Sequence, residues 1–400
     1  MPRLPALPDL DWTEDGQPRA RAYDDVYFSK AGGLAEARAV FLAGCGLPEA
    51  WAGRARFAIG ELGFGAGLNA LAVWDAWRRT RPPGGMLHFT SVEAFPLPRE
   101  AAARALGAFP EIADLAVRLL AAWPVRAPAP QRLWFPEDGF ALTVQIGEAC
   151  GVLAGMTGAF DAWFLDGFAP ARNEAMWRPE LFSRVAALSA PGARAATYSV
   201  AGGVRRGLEA AGFAVEKRAG FAAKRERLEA RLAKPPAAPA PLHPYASRMP
   251  ARAVIIGGGI AGACLAHAFA RRGTAVMLLE AEDLGAGASG APAALVMPRL
   301  ERGAAPLGRL HLAAYLEAVR LYESLGAFSA IGVEQGPANA RERETFASLA
   351  ADPPLPEDWL RAQPDGLLHP RAGRVAPAAA LAAMTRAAEI RRGARVRPLE

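Results

Sequence analysis

The stretch FAIGELGFGAGLNA, residues 57–70, decides the fold. An apolar run from Phe57 to Leu62 meets Gly63, Gly65 and Gly67, and a helical pattern opens near Leu68. Strand, glycine turn and helix in this order form the ligand edge of a doubly wound parallel sheet. Glu61 stands beside the glycines. A diphosphate seeks backbone amides at a helix N-terminus with no anion nearby. A carboxylate there instead favours a ligand carrying an ammonium and a sulfonium, which describes S-adenosyl-L-methionine. The next strand, LHFTSVE, ends in Glu93, about where an acid hydrogen-bonds a ribose diol. A lone glycine loop is often only a turn, but two acids at successive strand ends point to a cofactor site.

Two further strand ends reach the same edge. ALTVQIGE brings up Gly147 and Glu148, and an acid here either accepts from an adenine amino group or caps a helix N-terminus. DAWFLDGFAPARN places Asp166 at a strand end, with Phe168 and Pro170 in the loop beyond. Methylating an amine requires its lone pair free and aimed, so a carboxylate must take a proton or orient the N–H. Asp166 suits that role. Phe168 either stacks on a planar base, as aromatics do for unpaired nucleotides, or packs into the core. The loop resembles the Asp/Asn-Pro-Pro-aromatic loop of amino-methyltransferases, with Gly167 in place of the first proline and Ala169 before Pro170.

The chain has 400 residues, 52% of them hydrophobic and 22% charged, which predicts two folded domains. Residues 233–250, AKPPAAPAPLHPYASRMP, carry six prolines and read as an extended linker. Before it, apolar runs at 57–62, 87–92, 140–146, 162–165 and 195–200 alternate with helical patterns. The expected class is therefore α/β, a doubly wound Rossmann-like domain over 1–232. After the linker, Ala253–Ile256, a helix over Ala261–Arg272 and Ala275–Leu279 form a βαβ unit, the start of a second Rossmann-type domain over 251–400.

That second unit contains IIGGGIAG. Gly257, Gly259 and Gly262 have GxGxxG spacing after a β-branched strand, and Glu280 ends the next strand. No acid precedes these glycines, so a diphosphate can sit on the helix N-terminus. The loop alone does not choose between FAD and NAD. Ala253–Ala270 is apolar and of nearly spanning length, but its four glycines and strand-like start predict a buried strand-turn-helix and no membrane span.

The net charge of +6 suits an anionic partner, and a cluster between Arg205 and Arg231 is the candidate footprint. Within it Arg205, Arg206, Lys224 and Arg225 are the candidate contacts, although Glu209, Glu216, Glu226 and Glu229 permit a salt-bridged surface instead. Three widely spaced cysteines and five scattered histidines indicate neither disulfides nor a metal site, and a reducing cytoplasm is expected. The N-terminus has no secretory pattern. No nucleophile-base-acid arrangement suggests a hydrolase.

The segments DDVYFS, ELGFGAGLN, SVEAFPL, DAWFLDGFAPARN with Met176-Trp177, VRRGLEAAGF and KRAGFAAKRE, in this order, resemble the methyltransferase half of the bifunctional tRNA 5-methylaminomethyl-2-thiouridine biosynthesis family. LGAGASGAPAALVMPRL, residues 284–300, resembles a segment of FAD-dependent amine oxidases, and the family carries such an oxidase second. The resemblance implies methyl transfer to a wobble-uridine aminomethyl group after FAD-dependent removal of a carboxymethyl group. It implies Glu61, Gly63, Gly65, Gly67, Asn69 and Glu93 at S-adenosyl-L-methionine, Glu148 where the family has Asp, Asp166 at the acceptor amine, and Gly257, Gly259, Gly262 and Glu280 at FAD. The implied partner is tRNA, with no metal, and a monomer is expected. The short stretch after Pro250 predicts an incomplete oxidoreductase half. Two other readings compete: a small-molecule amine methyltransferase fused to an amino-acid-oxidase-like domain, and a non-catalytic nucleotide- or RNA-binding module.

Overall fold

The computed structural model describes residues 3–28, 32–222, 225–234, 250–301 and 306–397. The chain divides into two compact units, Pro5–Pro241 and Leu242–Glu400 with Met1–Leu4.

The first unit opens with a small antiparallel sheet of β1 (Leu10–Trp12), β2 (Pro18–Ala20) and β3 (Asp25–Val26). A short helix, α1 (Gly33–Glu36), continues as a π-helical stretch and leads to β4 (Arg56–Leu62). There follow α2 (Leu68–Thr80), β5 (Met86–Glu93), α3 (Arg99–Leu106), α4 (Ala113–Ala121), β6 (Pro130–Phe135) and β7 (Phe140–Ile146). The unit closes with α5 (Ala149–Ala154), β8 (Phe160–Leu165), α6 (Pro179–Ala187), β9 (Ser189–Thr197), α7 (Gly202–Ala210), β10 (Phe213–Ala219) and β11 (Glu226–Leu232).

Among the described residues the strands from β4 onward form one eight-stranded sheet in the order β10-β11-β9-β8-β4-β5-β7-β6. Its five central strands run parallel, while β6 and the β10–β11 hairpin join antiparallel at the edges. Alternation along each strand feeds two cores. On β8, Ala162 and Phe164 join Trp74, Trp77 and Phe89 on one face, while Trp163 and Leu165 join Leu181, Phe182 and Leu208 on the other. Strands buried on both faces read as continuous apolar runs, which is why β4, β5, β7 and β8 are recognisable from sequence.

The strand expected over 195–200 instead spans Ser189–Thr197. Pro191 and Gly192 lie inside it where its pairing with β8 shifts register, and these turn-forming residues hide the strand from a pattern reading. The two edge devices, β6 and the hairpin, also lie outside the expected elements.

The second unit begins with β12 (Arg252–Ile256), α8 (Ile260–Ala270) and β13 (Ala275–Leu279). The two strands pair parallel, Arg252 opposite Ala275 through Ile256 opposite Leu279, and the strand Ala388–Arg391 lies parallel on the other side of β13. The fold class is thus a doubly wound Rossmann-like domain followed by a second Rossmann-type βαβ unit. The stretch Ala253–Ala270 resolves into strand, turn and helix, and among the described residues no helix is long and apolar enough to cross a membrane. Most of the proline-rich stretch, residues 235–249, lies outside the described residues.

Candidate active site

The glycine turn after β4 is shaped by one close approach. Gly63 has φ +93°, and a Cβ there would meet the Asp166 carbonyl oxygen at 2.6 Å, so only glycine lets the ends of β4 and β8 come together. Its amide bonds the Val92 carbonyl at 2.9 Å, which holds the turn to the end of β5. A cavity of about 940 Å3 opens at this edge, lined by the glycine turn, by Glu93, Gly147, Glu148 and Asp166 from the strand ends, and by residues of the N-terminal segment.

Glu61, near the end of β4 just before this turn, is buried at 1% exposure. Neither carboxyl oxygen makes a hydrogen bond of sound geometry. Burial pushes its pKa well above the ordinary value, and the charges of Asp166 and Glu93 push the same way, while Ser91 and Asn69 pull it down. An orphaned carboxyl among like charges fits a ligand that brings a cation, such as the ammonium of S-adenosyl-L-methionine.

Glu93 is turned onto the loop. One oxygen accepts from the Gly65 amide at 3.0 Å and the other from the Phe95 amide at 2.8 Å. Burial raises its pKa against the pull of these bonds. Each oxygen keeps a second lone pair for a ligand hydroxyl. Glu148 caps α5, accepting from the amides of Cys150 at 3.0 Å and Gly151 at 2.7 Å. Of the two readings open for it, this is the geometry of the helix cap.

Asp166 follows β8, and its Oδ2 accepts from Asn69 Nδ2 at 2.8 Å. Asn69 sits in the first turn of α2, so the helix that follows the glycine turn also orients the candidate acceptor carboxylate. The loop beyond is pinned by its backbone. Ala169 donates to Asp25 at 3.1 Å, Trp177 donates to the Phe168 carbonyl at 2.9 Å, and the Tyr198 hydroxyl donates to the Gly167 carbonyl. Phe168 is half-buried, stacked on Tyr23 at 4.7 Å with Tyr27 edge-on at 5.3 Å.

In the second unit Gly257 has φ +97°, and a Cβ on Gly262 would meet its carbonyl oxygen at 2.0 Å, so the turn into α8 tolerates no side chain at position 262. Gly259 is the N-cap of α8. Glu280 accepts from the Gly258 amide at 2.5 Å and from the Glu282 amide at 3.0 Å, and these bonds hold its pKa below the ordinary value. A Cβ-free turn opening an eleven-residue helix, with no acid ahead of it, fits the diphosphate of FAD.

Residues 110–233 match the family described as S-adenosyl-L-methionine-dependent methyltransferase, and residues 252–398 match the family described as FAD dependent oxidoreductase. The tRNA 5-methylaminomethyl-2-thiouridine biosynthesis bifunctional protein MnmC of Maricaulis maris is 52% identical over 98% of this chain and 66% of its own length. The protein of the same name from Caulobacter vibrioides is 50% identical over 85% of this chain and 56% of its own. That from Ectopseudomonas mendocina is 44% identical over 93% and 58%.

The chain belongs to this family.

It spans between about half and two thirds of the length of these relatives. As a member of the bifunctional family it carries a methyltransferase and an oxidoreductase domain, and its cofactors are S-adenosyl-L-methionine and FAD.

The structure brings together Gly63, Gly65, Asn69, Glu93, Glu148, Asp166 and Phe168 around one cavity, with Gly67 capping α2 beside it and Glu61 buried on β4 outside the cavity lining. Among the described residues, Arg205, Arg206 and Arg225 do not line that cavity. Arg205 and Arg206 are exposed on α7, with Arg205 at 3.8 Å from Glu209, and Arg225 is exposed beyond β10. Lys224 lies outside the described residues. On the hairpin, Lys217 pairs with Glu226 at 2.8 Å and Arg227 with Glu229 at 2.6 Å, so part of the basic cluster is charge-compensated.

Sequence reasoning missed Tyr23, Asp25, Tyr27, Glu36 and Tyr198, all of which line the cavity. Tyr23, Asp25 and Tyr27 fall in or beside DDVYFS, where only the family pattern marks them. Glu36 carries no distinct signal, because Arg38 also interrupts the apolar stretch from Gly33 to Leu42.

Proposed function

We propose that this chain modifies the wobble uridine of tRNA in the cytoplasm. FAD-dependent removal of the carboxymethyl group from 5-carboxymethylaminomethyl-(2-thio)uridine gives the 5-aminomethyl form, and methylation of that amine gives 5-methylaminomethyl-(2-thio)uridine. The division of labour is a methyltransferase domain over 1–232, a linker over 233–250 and an oxidoreductase domain over 251–400. Relatives named for tRNA thiouridine biosynthesis favour the RNA substrate over a free amine.

The observation that carries the methyl-transfer reading is the Asn69–Asp166 hydrogen bond at 2.8 Å, which sets an acceptor carboxylate beside the cofactor turn. S-adenosyl-L-methionine would supply the methyl group, and FAD would take up the two electrons of C–N oxidation. Glu61 would face the cofactor's ammonium and Glu93 its ribose hydroxyls. The amine reaches the site largely as an ammonium and must lose a proton before its lone pair can attack, and Asp166 takes that proton. Asn69 keeps Oδ2 turned toward α2, which fixes the direction of the carboxylate. Phe168 offers a ring against which the uracil stacks, with Tyr23 moving aside from its present contact. In the second unit Gly257, Gly259 and Gly262 would leave room for the FAD diphosphate, and Glu280 would face its ribose. Arg205, Arg206, Lys224 and Arg225 would contact tRNA phosphates.

Mass spectrometry of wobble nucleosides after incubation with each cofactor separately tests the reading. With S-adenosyl-L-methionine alone, 5-aminomethyluridine should gain one methyl group. With FAD alone, the carboxymethyl form should lose its carboxymethyl group. Unchanged nucleosides in the first arm would sink the methyltransferase assignment.

A further inference from the structure

Three aromatic rings, Tyr23, Phe95 and Phe168, line the cavity beside the acceptor loop. Tyr23 lies against Phe168 with 4.7 Å between centroids and 24° between planes, and Phe95 stands 6.5 Å from Tyr23 at 59°. The two sides of the stack are held differently. Phe168 is braced: Trp177 donates to its carbonyl at 2.9 Å, and Tyr27 packs edge-to-face with its ring at 5.3 Å. Tyr27 in turn rests on the cofactor turn, where a Cβ on Gly65 would come within 3.1 Å of its ring. Tyr23 is held through its backbone. It ends a 3-10 turn between β2 and β3, and Asp24 after it has φ +44°, a left-handed conformation that a residue other than glycine keeps only where its surroundings hold it. The hold comes from the acceptor loop. Arg172 donates to the Tyr23 carbonyl at 3.2 Å and to the Asp24 carbonyl, and it pairs with the Asp24 carboxylate at 3.2 Å. Asp25 accepts from the Ala169 amide at 3.1 Å. The Tyr23 ring itself is half-buried, and Phe95 on its other side is 37% exposed.

We propose that Tyr23 is a substrate-positioning residue: its ring and that of Phe168 are the two walls of a slot that the wobble uracil enters by parting them. This rests on the methyl-transfer reading of the site. A ring sandwiched at van der Waals contact, about 3.5 Å from each neighbour, sets its two walls about 7 Å apart. Walls whose centroids are 4.7 Å apart must open by about 2 Å, so one of them yields. Phe168 is braced and lies two residues from Asp166, so it keeps the uracil plane in register with the acceptor carboxylate. The Tyr23 ring swings, on a pivot that the same loop fixes. Rotation of a partly exposed side chain takes about a nanosecond or less and does not limit turnover. Stacking reads a flat π-face, so the slot favours a planar pyrimidine over a puckered one.

The test uses the full chain and two anticodon stem-loop RNAs, one with uridine and one with 5,6-dihydrouridine at the wobble position, whose affinities are read by fluorescence anisotropy. The saturated ring of dihydrouridine is puckered and stacks poorly. In the wild type the uridine RNA should bind at least about fivefold more tightly. Tyr23→Phe should keep that gap. Tyr23→Leu, which fills space without a π-face, should shrink it several-fold and lower kcat/KM for methyl transfer to the 5-aminomethyluridine stem-loop about tenfold, with affinity for S-adenosyl-L-methionine retained. A purely structural Tyr23 would weaken both RNAs alike and leave the gap as it was. No gap in the wild type, or an unchanged gap in Tyr23→Leu, overturns the proposal. If Tyr23→Leu loses the cofactor, Tyr23→Ala takes its place, and loss of the cofactor by both marks Tyr23 as part of the fold and overturns the proposal too. Failure of the wild type to methylate the 5-aminomethyl RNA overturns the methyl-transfer reading instead.

Discussion

Replacing Glu61 by Gln should move stability and cofactor affinity in opposite directions. The carboxyl is 1% exposed, makes no hydrogen bond of sound geometry and lies near the charges of Asp166 and Glu93. An uncompensated buried polar group costs about 1–3 kcal/mol. Gln keeps a buried polar group but cannot ionise, so where the wild-type carboxyl is charged, relieving about 2 kcal/mol of charge burial in a unit of this size raises the ligand-free melting temperature by about 4–8 °C. The same substitution removes the charged partner of the cofactor's ammonium, a hydrogen bond worth about 2–3 kcal/mol, so affinity for S-adenosyl-L-methionine falls about 30- to 150-fold. The pH dependence follows from the raised pKa. Between the ordinary carboxyl value and the raised one, the folded unit keeps a proton that the unfolded chain has released. Ligand-free stability therefore declines as pH rises through that window, while cofactor affinity grows as Glu61 ionises. Glu61→Gln should flatten both slopes. Differential scanning calorimetry without ligand and titration calorimetry with S-adenosyl-L-methionine, each across pH, measure the four quantities. A variant that is less stable and still binds the cofactor at wild-type strength would refute the reasoning, since Glu61 would then be a structural acid.

Asp166→Asn keeps an acceptor for Asn69 but loses the proton-accepting carboxylate, so methyl transfer should fall by about 100-fold or more with cofactor affinity within about twofold of wild type, as single-turnover rates and calorimetry will report. Gly262→Ala forces a Cβ against the Gly257 carbonyl, 2.0 Å away, and even a 1.4 kcal/mol displacement lowers FAD uptake about tenfold, read as flavin bound per chain. Neutralising Arg205 and Arg206 together should weaken tRNA binding and reduce the salt slope by about two in filter-binding assays, one unit per lost phosphate contact.

The sheet edge was legible because its acids sit directly behind continuous apolar runs: Glu61, Glu93 and Asp166 each end or follow a strand buried on both faces. The residues that complete the cavity lack that local marker. β1 to β3 are only two or three residues long, too short for a period-two pattern, so the placing of Tyr23 and Asp25 depends on tertiary pairing. Glu36 looks like a surface acid of an amphipathic helix, yet it ends α1 buried at 8% exposure. Tyr198 follows a strand whose Pro191 and Gly192 disguise its start. Glu148 was legible as a choice between two roles, and the position of α5 selects the cap.

The two glycine turns show which position separates their ligands. Gly63 and Gly257 have nearly the same φ, +93° and +97°, and their amides bond Val92 and Leu279, each the residue before the acid that ends the second strand. Glu93 and Glu280 then behave alike: each accepts one amide from its glycine turn and one from two residues beyond itself. That acid cannot be what selects the cofactor. Two residues before the first glycine, however, the buried position is Glu61 in one turn and Ile255 in the other. The helix also opens five residues after Gly63 but three after Gly257. In the second unit a short, uncharged turn leaves α8's N-terminus where it would meet a diphosphate. In the first, a longer turn holds the helix N-terminus back and a carboxyl is buried just ahead of it on β4, so the same strand-turn-helix scaffold would suit an anion at one site and a cation at the other.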